Sequence, residues 1–111
     1  MAIIYICGIE TSHNDKNGLS ETEKIKAKLK AMKCAVVNPM EMAFAQMSWS
    51  DTIQNRVELL KKSHAVYVLP NWRDSIMARI ELTVAMDMKI HTFFHPASTK
   101  EIKQLITTLD N

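Results

Sequence analysis

Glycine is scarce. The 111-residue chain holds two, Gly8 and Gly18, where average usage of about 7% would give roughly eight. A phosphate-cradling P-loop and the GxGxxG dinucleotide fingerprint both need several glycines for close backbone approach, so ATPase and dinucleotide oxidoreductase readings built on them are excluded. Long apolar runs are also missing. A stretch such as Ala2-Ile3-Ile4-Tyr5-Ile6-Cys7 falls far short of the 18–20 residues that span a bilayer. No basic segment precedes that run and no small-residue cleavage site follows it, so a signal peptide is not expected. Charge of one sign is lacking too: 14 basic residues face 12 acidic ones, a net charge of +2, with no basic block. A polymeric nucleic acid or an anionic membrane surface therefore gains little attraction. Cysteine occurs twice, at Cys7 and Cys34. With a cytoplasmic location expected, both read as reduced thiols.

What is present suits one globular domain over residues 1–111. The hydrophobic share of 47% and the charged share of 23% are ordinary. A chain of this length buries roughly 65% of its unfolded surface without metal or disulfide staples. Ala2–Cys7 is a β-branched and aromatic run, the pattern of a strand covered on both faces, and a polar loop over 9–19 follows. Ser20-Glu21-Thr22-Glu23 forms a capping box for a helix to about Lys33, with Ile25, Leu29 and Met32 on one stripe. Ala35–Asn38 is a second strand, stopped by Pro39. Ser50 is expected to cap a helix over roughly 51–63 with Ile53, Val57 and Leu60 inward. Ala65–Leu69 is a third strand, and Asp74 or Ser75 caps a helix to about Asp87. Lys89–Phe94 is a fourth strand. A second capping box, Ser98-Thr99-Lys100-Glu101, opens a last helix with Ile102, Leu105, Ile106 and Leu109 on its apolar face.

Strict β-α alternation with apolar strands predicts a parallel sheet with helices on both faces and right-handed crossovers. The expected fold is α/β: a three-layer, flavodoxin-like or Rossmann-like sheet of four strands, or five, in the order 2-1-3-4. Ligands of such sheets bind beyond the carboxyl ends of the strands, where the order reverses between strands 1 and 3. That places loops 8–19, 38–50 and 70–75 at the candidate cleft. Cys7 and Cys34 fall at opposite ends of neighbouring strands, too far apart to bridge.

Glu81 is the most informative residue. Its helical neighbours at i±3 and i±4 are Met77, Ala78, Val84 and Ala85, all apolar. A carboxylate on such a stripe points to the core or to the cleft, and desolvation raises its pKa unless a cation or hydrogen-bond donors offset the cost. The structural alternative is a core-edge carboxylate paired with an arginine, and sealing in such a pair would speak against catalysis. Asp74 is either a capping carboxylate or a group beside a ligand. Asn71, Trp72 and Arg73 share its loop, where Trp72 either stacks on a base or covers the core.

The histidines do not cluster: His91 and His95 lie about 13 Å apart along a strand, His64 falls at the opposite edge, and His13 stands alone in a loop. No metal site and no cofactor are expected, and no Cys-His or Ser-His-Asp set has supporting context. Met40, Met42, Phe44, Met47 and Trp49 form an adaptable apolar segment that reads as core filler, a lid or a subunit contact.

The segment Asp74-Ser75-Ile76-Met77-Ala78-Arg79-Ile80-Glu81, after Tyr67-Val68-Leu69-Pro70-Asn71-Trp72, resembles the region around the catalytic glutamate of nucleoside 2-deoxyribosyltransferase-like domains. It is closer still to a small uncharacterised branch of them. Tyr5-Ile6-Cys7-Gly8 resembles that branch's first strand and Val36-Val37-Asn38-Pro39 its second. The resemblance implies that Glu81 is a nucleophile toward the anomeric carbon of a 2-deoxyribosyl group. Asp74, or a loop carboxylate such as Glu10 or Asp15, would then assist the leaving base. Tyr5, Gly8, Asn38, Asn71, Trp72 and Ser75 would line the pocket of a small nucleoside or nucleotide, in a protein that forms homo-oligomers. Met77 and Asn71 replace glycines of that branch. These departures motivate the alternatives: a catalytically inactive nucleotide-binding or sensing domain, or an oligomeric scaffold of the same fold.

Overall fold

The computed structural model describes residues 1–8, 21–39 and 48–110. Strand β1 covers Ile3–Cys7, helix α1 Glu21–Ala31, strand β2 Ala35–Val37 and helix α2 Trp49–Lys61. Strand β3 covers Ala65–Val68, a single 3-10 turn Trp72–Asp74, helix α3 Ile76–Asp87, strand β4 His91–Phe94 and helix α4 Thr99–Asp110. The strands form one parallel sheet in the order β2-β1-β3-β4, the expected α/β, flavodoxin-like arrangement with four strands.

Side-chain alternation along the strands divides the core into two layers. Ile4, Ile6, Tyr67 and Phe93 pack with Ile25 and Leu29 of α1 and Ile102 of α4. On the other face, Tyr5, Cys7, Val66 and Val68 pack with Leu60 of α2 and Ala78, Leu82 and Ala85 of α3. The central strands β1 and β3 are buried on both faces, as their unbroken apolar runs require. His64 closes the amino end of the sheet: its backbone N–H donates to the Ile3 carbonyl, and its Nδ1 accepts from the Ile3 N–H.

Two caps follow the sequence. Ser75 Oγ accepts from the Ala78 N–H at 3.1 Å, so Ser75 and not Asp74 caps α3. Ser98 Oγ accepts from the Glu101 N–H at 3.1 Å. Helix α2 corrects a third expectation. Its cap is Ser48, whose Oγ accepts from the Asp51 N–H at 3.1 Å, while Ser50 lies within the first turn. Ser48→Ala is therefore expected to cost about 1 kcal/mol and Ser50→Ala close to nothing, a contrast read by urea unfolding of the two variants. Ser20 and residues 40–47 of the Met-rich segment lie outside the described residues, and Leu109 is 40% exposed rather than inward.

The scarcity of glycine has a visible consequence. Helices often end on a left-handed residue, usually glycine. Here that conformation falls to lysines: Lys33 after α1 has φ 63° and Lys89 after α3 has φ 59°. Past each, the chain still bonds back to the helix, Cys34 N–H to the Leu29 carbonyl and Ile90 N–H to the Ala85 carbonyl.

Candidate functional site

Among the described residues, the apolar layer between α2, α3 and the sheet holds a convergence of polar groups. Glu81, in the middle of α3, is 2% exposed. Tyr5 reaches it from the middle of β1, its phenol donating to Oε2. Arg56 reaches it from α2, with Nη1 3.3 Å from Oε1. Both carboxylate oxygens are thus engaged, by donors from two separate elements, so Glu81 is the arginine-paired carboxylate of the structural alternative, the arrangement that speaks against catalysis. The Arg56 side chain is 13% exposed and that of Glu81 3%, so the pair approaches solvent on the arginine side. One residue pair further toward the carboxyl end, the Cys7 thiol donates to the Ala78 carbonyl at 3.3 Å.

Burial sets the electrostatics. It pushes the Glu81 carboxyl above its usual range, and the Tyr5 hydrogen bond and the Arg56 charge pull it only partly back. Burial, reinforced by the Glu81 charge, holds the Tyr5 phenol far above its ordinary value. Tyr5 is therefore a fixed donor and not a base. The Cys7 thiol is raised by burial first and by Glu81 second, with Arg56 opposing, which leaves it a protonated, unreactive thiol at neutral pH. Cys34 is raised by burial, and both cysteines are free and buried.

The other sequence candidates are distributed around this centre. Gly8, just past β1, has φ +134°, and a Cβ there would meet Leu69 Cβ at 2.7 Å. Its backbone thus approaches the end of β3 closely. Asn38 is buried just past β2. Asp74 is exposed on the 3-10 turn, and Asn71 and Ser75 beside it are half-buried. Trp72 packs partly on the core, with the Phe94 ring 6.4 Å away and the Arg73 guanidinium 5.2 Å over its own ring. Glu10, His13 and Asp15 lie outside the described residues. Three surface depressions are lined by residues of α3, β4 and α4, and Glu81 lines none of the three. Among the described residues, no group of three or more His, Cys, Asp or Glu is arranged to hold a metal ion, and no helix is long and apolar enough to cross a membrane.

A family model described as a domain of unknown function, DUF4406, matches residues 2–94. The chain belongs to this family. No curated protein matches it. The DUF4406 match takes in all four strands, α1, α2 and α3, and hence Tyr5, Arg56 and Glu81 together. Within this DUF4406 domain, Glu81 and Tyr5 are among the residues singled out in the sequence, as nucleophile and pocket residue, and Arg56 is not. The signal was there: Arg56 is three residues after Ile53 and four before Leu60, which places it on the inward stripe of α2, as Glu81 is on that of α3.

Proposed function

We propose that this protein cleaves or exchanges the N-glycosidic bond of a nucleoside or nucleotide, with Glu81 as the nucleophile. The observation that carries the reading is the desolvated carboxylate of Glu81 in a mostly apolar layer, fixed at one oxygen by Tyr5; its pairing with Arg56 counts against turnover. A buried ion pair contributes little to stability compared with apolar residues of similar volume, and a desolvated carboxylate with dedicated partners is a functional-site candidate. The resemblance around residues 74–81 supplies the chemistry.

Tyr5 fixes Oε2 and leaves Oε1 as the attacking atom once Arg56 withdraws. Oε1 bonds to the anomeric carbon, and the bond from that carbon to the base nitrogen breaks. The electron pair leaves with the base, which takes a proton from an assisting acid. Asp74 and the loop carboxylates Glu10 and Asp15 are the candidates for that acid. A second base or water then attacks the same carbon, displaces the Glu81 ester and returns a proton to the assistant. Arg56 must leave Oε1 for a further reason: the sugar becomes cationic in the transition state, and the ionised carboxylate then has the sugar as its counter-charge. Only ionised Glu81 attacks, so turnover should rise with pH through its elevated pKa.

The pairing with Arg56, and Met77 standing where the resembling branch has a glycine, favour a second reading, a nucleotide-binding domain of the same fold without turnover. Chromatography of free base released or exchanged from a panel of deoxynucleosides and their 5′-monophosphates separates the two. Base release that Glu81→Ala abolishes is the expected result. Saturable binding without turnover across the panel replaces the enzyme by the binding domain, and turnover that survives Glu81→Ala removes Glu81 from the mechanism.

A further inference from the structure

Strand β4 stands at one end of the sheet order β2-β1-β3-β4, and among the described residues no strand pairs with its outer side. One hydrogen bond fixes the direction of its backbone groups. His95 N–H donates to the Val68 carbonyl at 2.9 Å, so His95 and, two residues earlier, Phe93 turn toward β3. Successive residues of a strand turn their N–H and C=O to opposite edges, and Thr92 and Phe94 therefore present theirs outward. The Ile90 carbonyl, next in that outward row, takes the Thr92 hydroxyl at 3.2 Å, which closes the row at its amino end. Strand edges are commonly blunted by lysine, proline or a bulge, yet His91-Thr92-Phe93-Phe94 holds neither lysine nor proline. A surface depression lies at this edge, lined by every residue of β4 and by Glu101, Leu105 and Thr108 of α4 among others.

We infer that this edge takes up an extended, basic segment of a partner protein as an added strand, its main chain bonded to Thr92 and Phe94. Strand addition draws affinity from main-chain hydrogen bonds and specificity from alternate side-chain sites. Side chains of the added strand alternate between the two faces of the sheet. On one face they meet Phe94, which is 48% exposed and whose ring pairs with Trp72 of the α2/α3 layer. An apolar side chain fits there. On the other face, where Phe93 packs, they meet α4, and the exposed Glu101 supplies a carboxylate to the depression. Lys100 and Lys103 line a neighbouring depression instead. A lysine or arginine of the partner fits beside Glu101, and this charge selects the occupant. The segment required thus alternates an apolar residue with a cationic one. Tyr5 of the Glu81 site belongs to β1, two strands inward, so the inference stands independently of the proposed chemistry.

Amide hydrogen exchange of the full chain, followed by NMR with and without a short peptide alternating valine with lysine, provides the test. In the free protein the Thr92 and Phe94 amides should exchange quickly, while those of Phe93 and His95 are protected by β3. Peptide titrated to about 1 mM should bind saturably and protect Thr92 and Phe94. Glu101→Lys should weaken that binding by about tenfold or more, and this variant should instead prefer a peptide with glutamate in place of lysine. N-methylation of the peptide amides on the bonding edge should abolish binding. Circular dichroism distinguishes lost binding from lost folding, and the exposed Glu101 variant leaves the core untouched. No saturable binding, binding that leaves the Thr92 and Phe94 amides exchanging freely, or equal binding of the lysine and glutamate peptides by the wild type overturns the inference. So does protection of these amides that grows with protein concentration in the absence of peptide, which assigns the edge to a second copy.

Discussion

Replacing Arg56 by methionine is expected to destabilise the fold by about 3 kcal/mol at pH values where Glu81 is ionised and by much less at lower pH, where it is neutral. Methionine keeps most of the aliphatic stem, so the loss is chiefly that of the cation. Breaking a buried pair usually costs about 3–5 kcal/mol because the remaining charge has no partner. The lower end applies because the Arg56 guanidinium lies 3.3 Å from Glu81 and keeps some exposure. The pH dependence follows from the direction of the Glu81 shift. Its folded pKa is raised above the ordinary 4.5, so the fold prefers the neutral acid. The associated stability is fully present below pH 4.5 and is lost as pH rises through the folded pKa. Arg56 lowers that pKa; without it the pKa climbs, and the window of falling stability extends further upward. Glu81→Gln removes the titration and should flatten the profile in the same window. Urea unfolding of the three proteins across this pH range checks both signs. An Arg56→Met profile parallel to that of the wild type would show that the guanidinium and the carboxylate are not coupled.

Gly8→Ala should be strongly damaging for a single-methyl change, costing about 3 kcal/mol or more. Two separate terms contribute. A backbone at φ +134° is costly for any residue with a Cβ, by about 1–3 kcal/mol. The added Cβ would also sit 2.7 Å from Leu69 Cβ, the base of a buried side chain that cannot rotate away, and overpacking of this kind costs typically 1–3 kcal/mol. For a domain of this size the thermal midpoint should fall by about 12 °C. A fall of less than about 3 °C would mean that the ends of β1 and β3 separate readily.

The architecture was legible because each level of the sequence agreed with the next. The apolar runs 3–7 and 65–68 had to be interior strands, and strict alternation with amphipathic segments left little freedom in sheet order. Caps were legible where one serine preceded a helical stripe, as at Ser75 and Ser98. They were ambiguous where two serines competed, as at Ser48 and Ser50, since hydroxyl chemistry alone does not choose between positions two apart. The interior position of Glu81 followed from its four apolar neighbours. Its partners did not. Tyr5 and Arg56 are 76 and 25 residues away in sequence, and their meeting depends on how α2 and α3 lie against β1, which no local pattern encodes. The role of Trp72 was open between stacking on a base and covering the core, and its contacts with the core, Phe94 and Arg73 account for the covering part.

The region shared with the family stops at Phe94, but the hydrophobic interior does not. Ala97 and Ile102, both buried, belong to the layer of Ile4, Tyr67 and Phe93. Two tethers hold the crossing into α4: the Ala97 carbonyl accepts from Lys28 Nζ at 2.9 Å, and the Ala97 N–H donates to the Tyr67 hydroxyl, which also meets His95 Nδ1 at 2.7 Å. Trimming the polypeptide to the homologous segment would therefore peel the lid from half of the sheet, and the shortest autonomous folding unit has to retain the terminal helix.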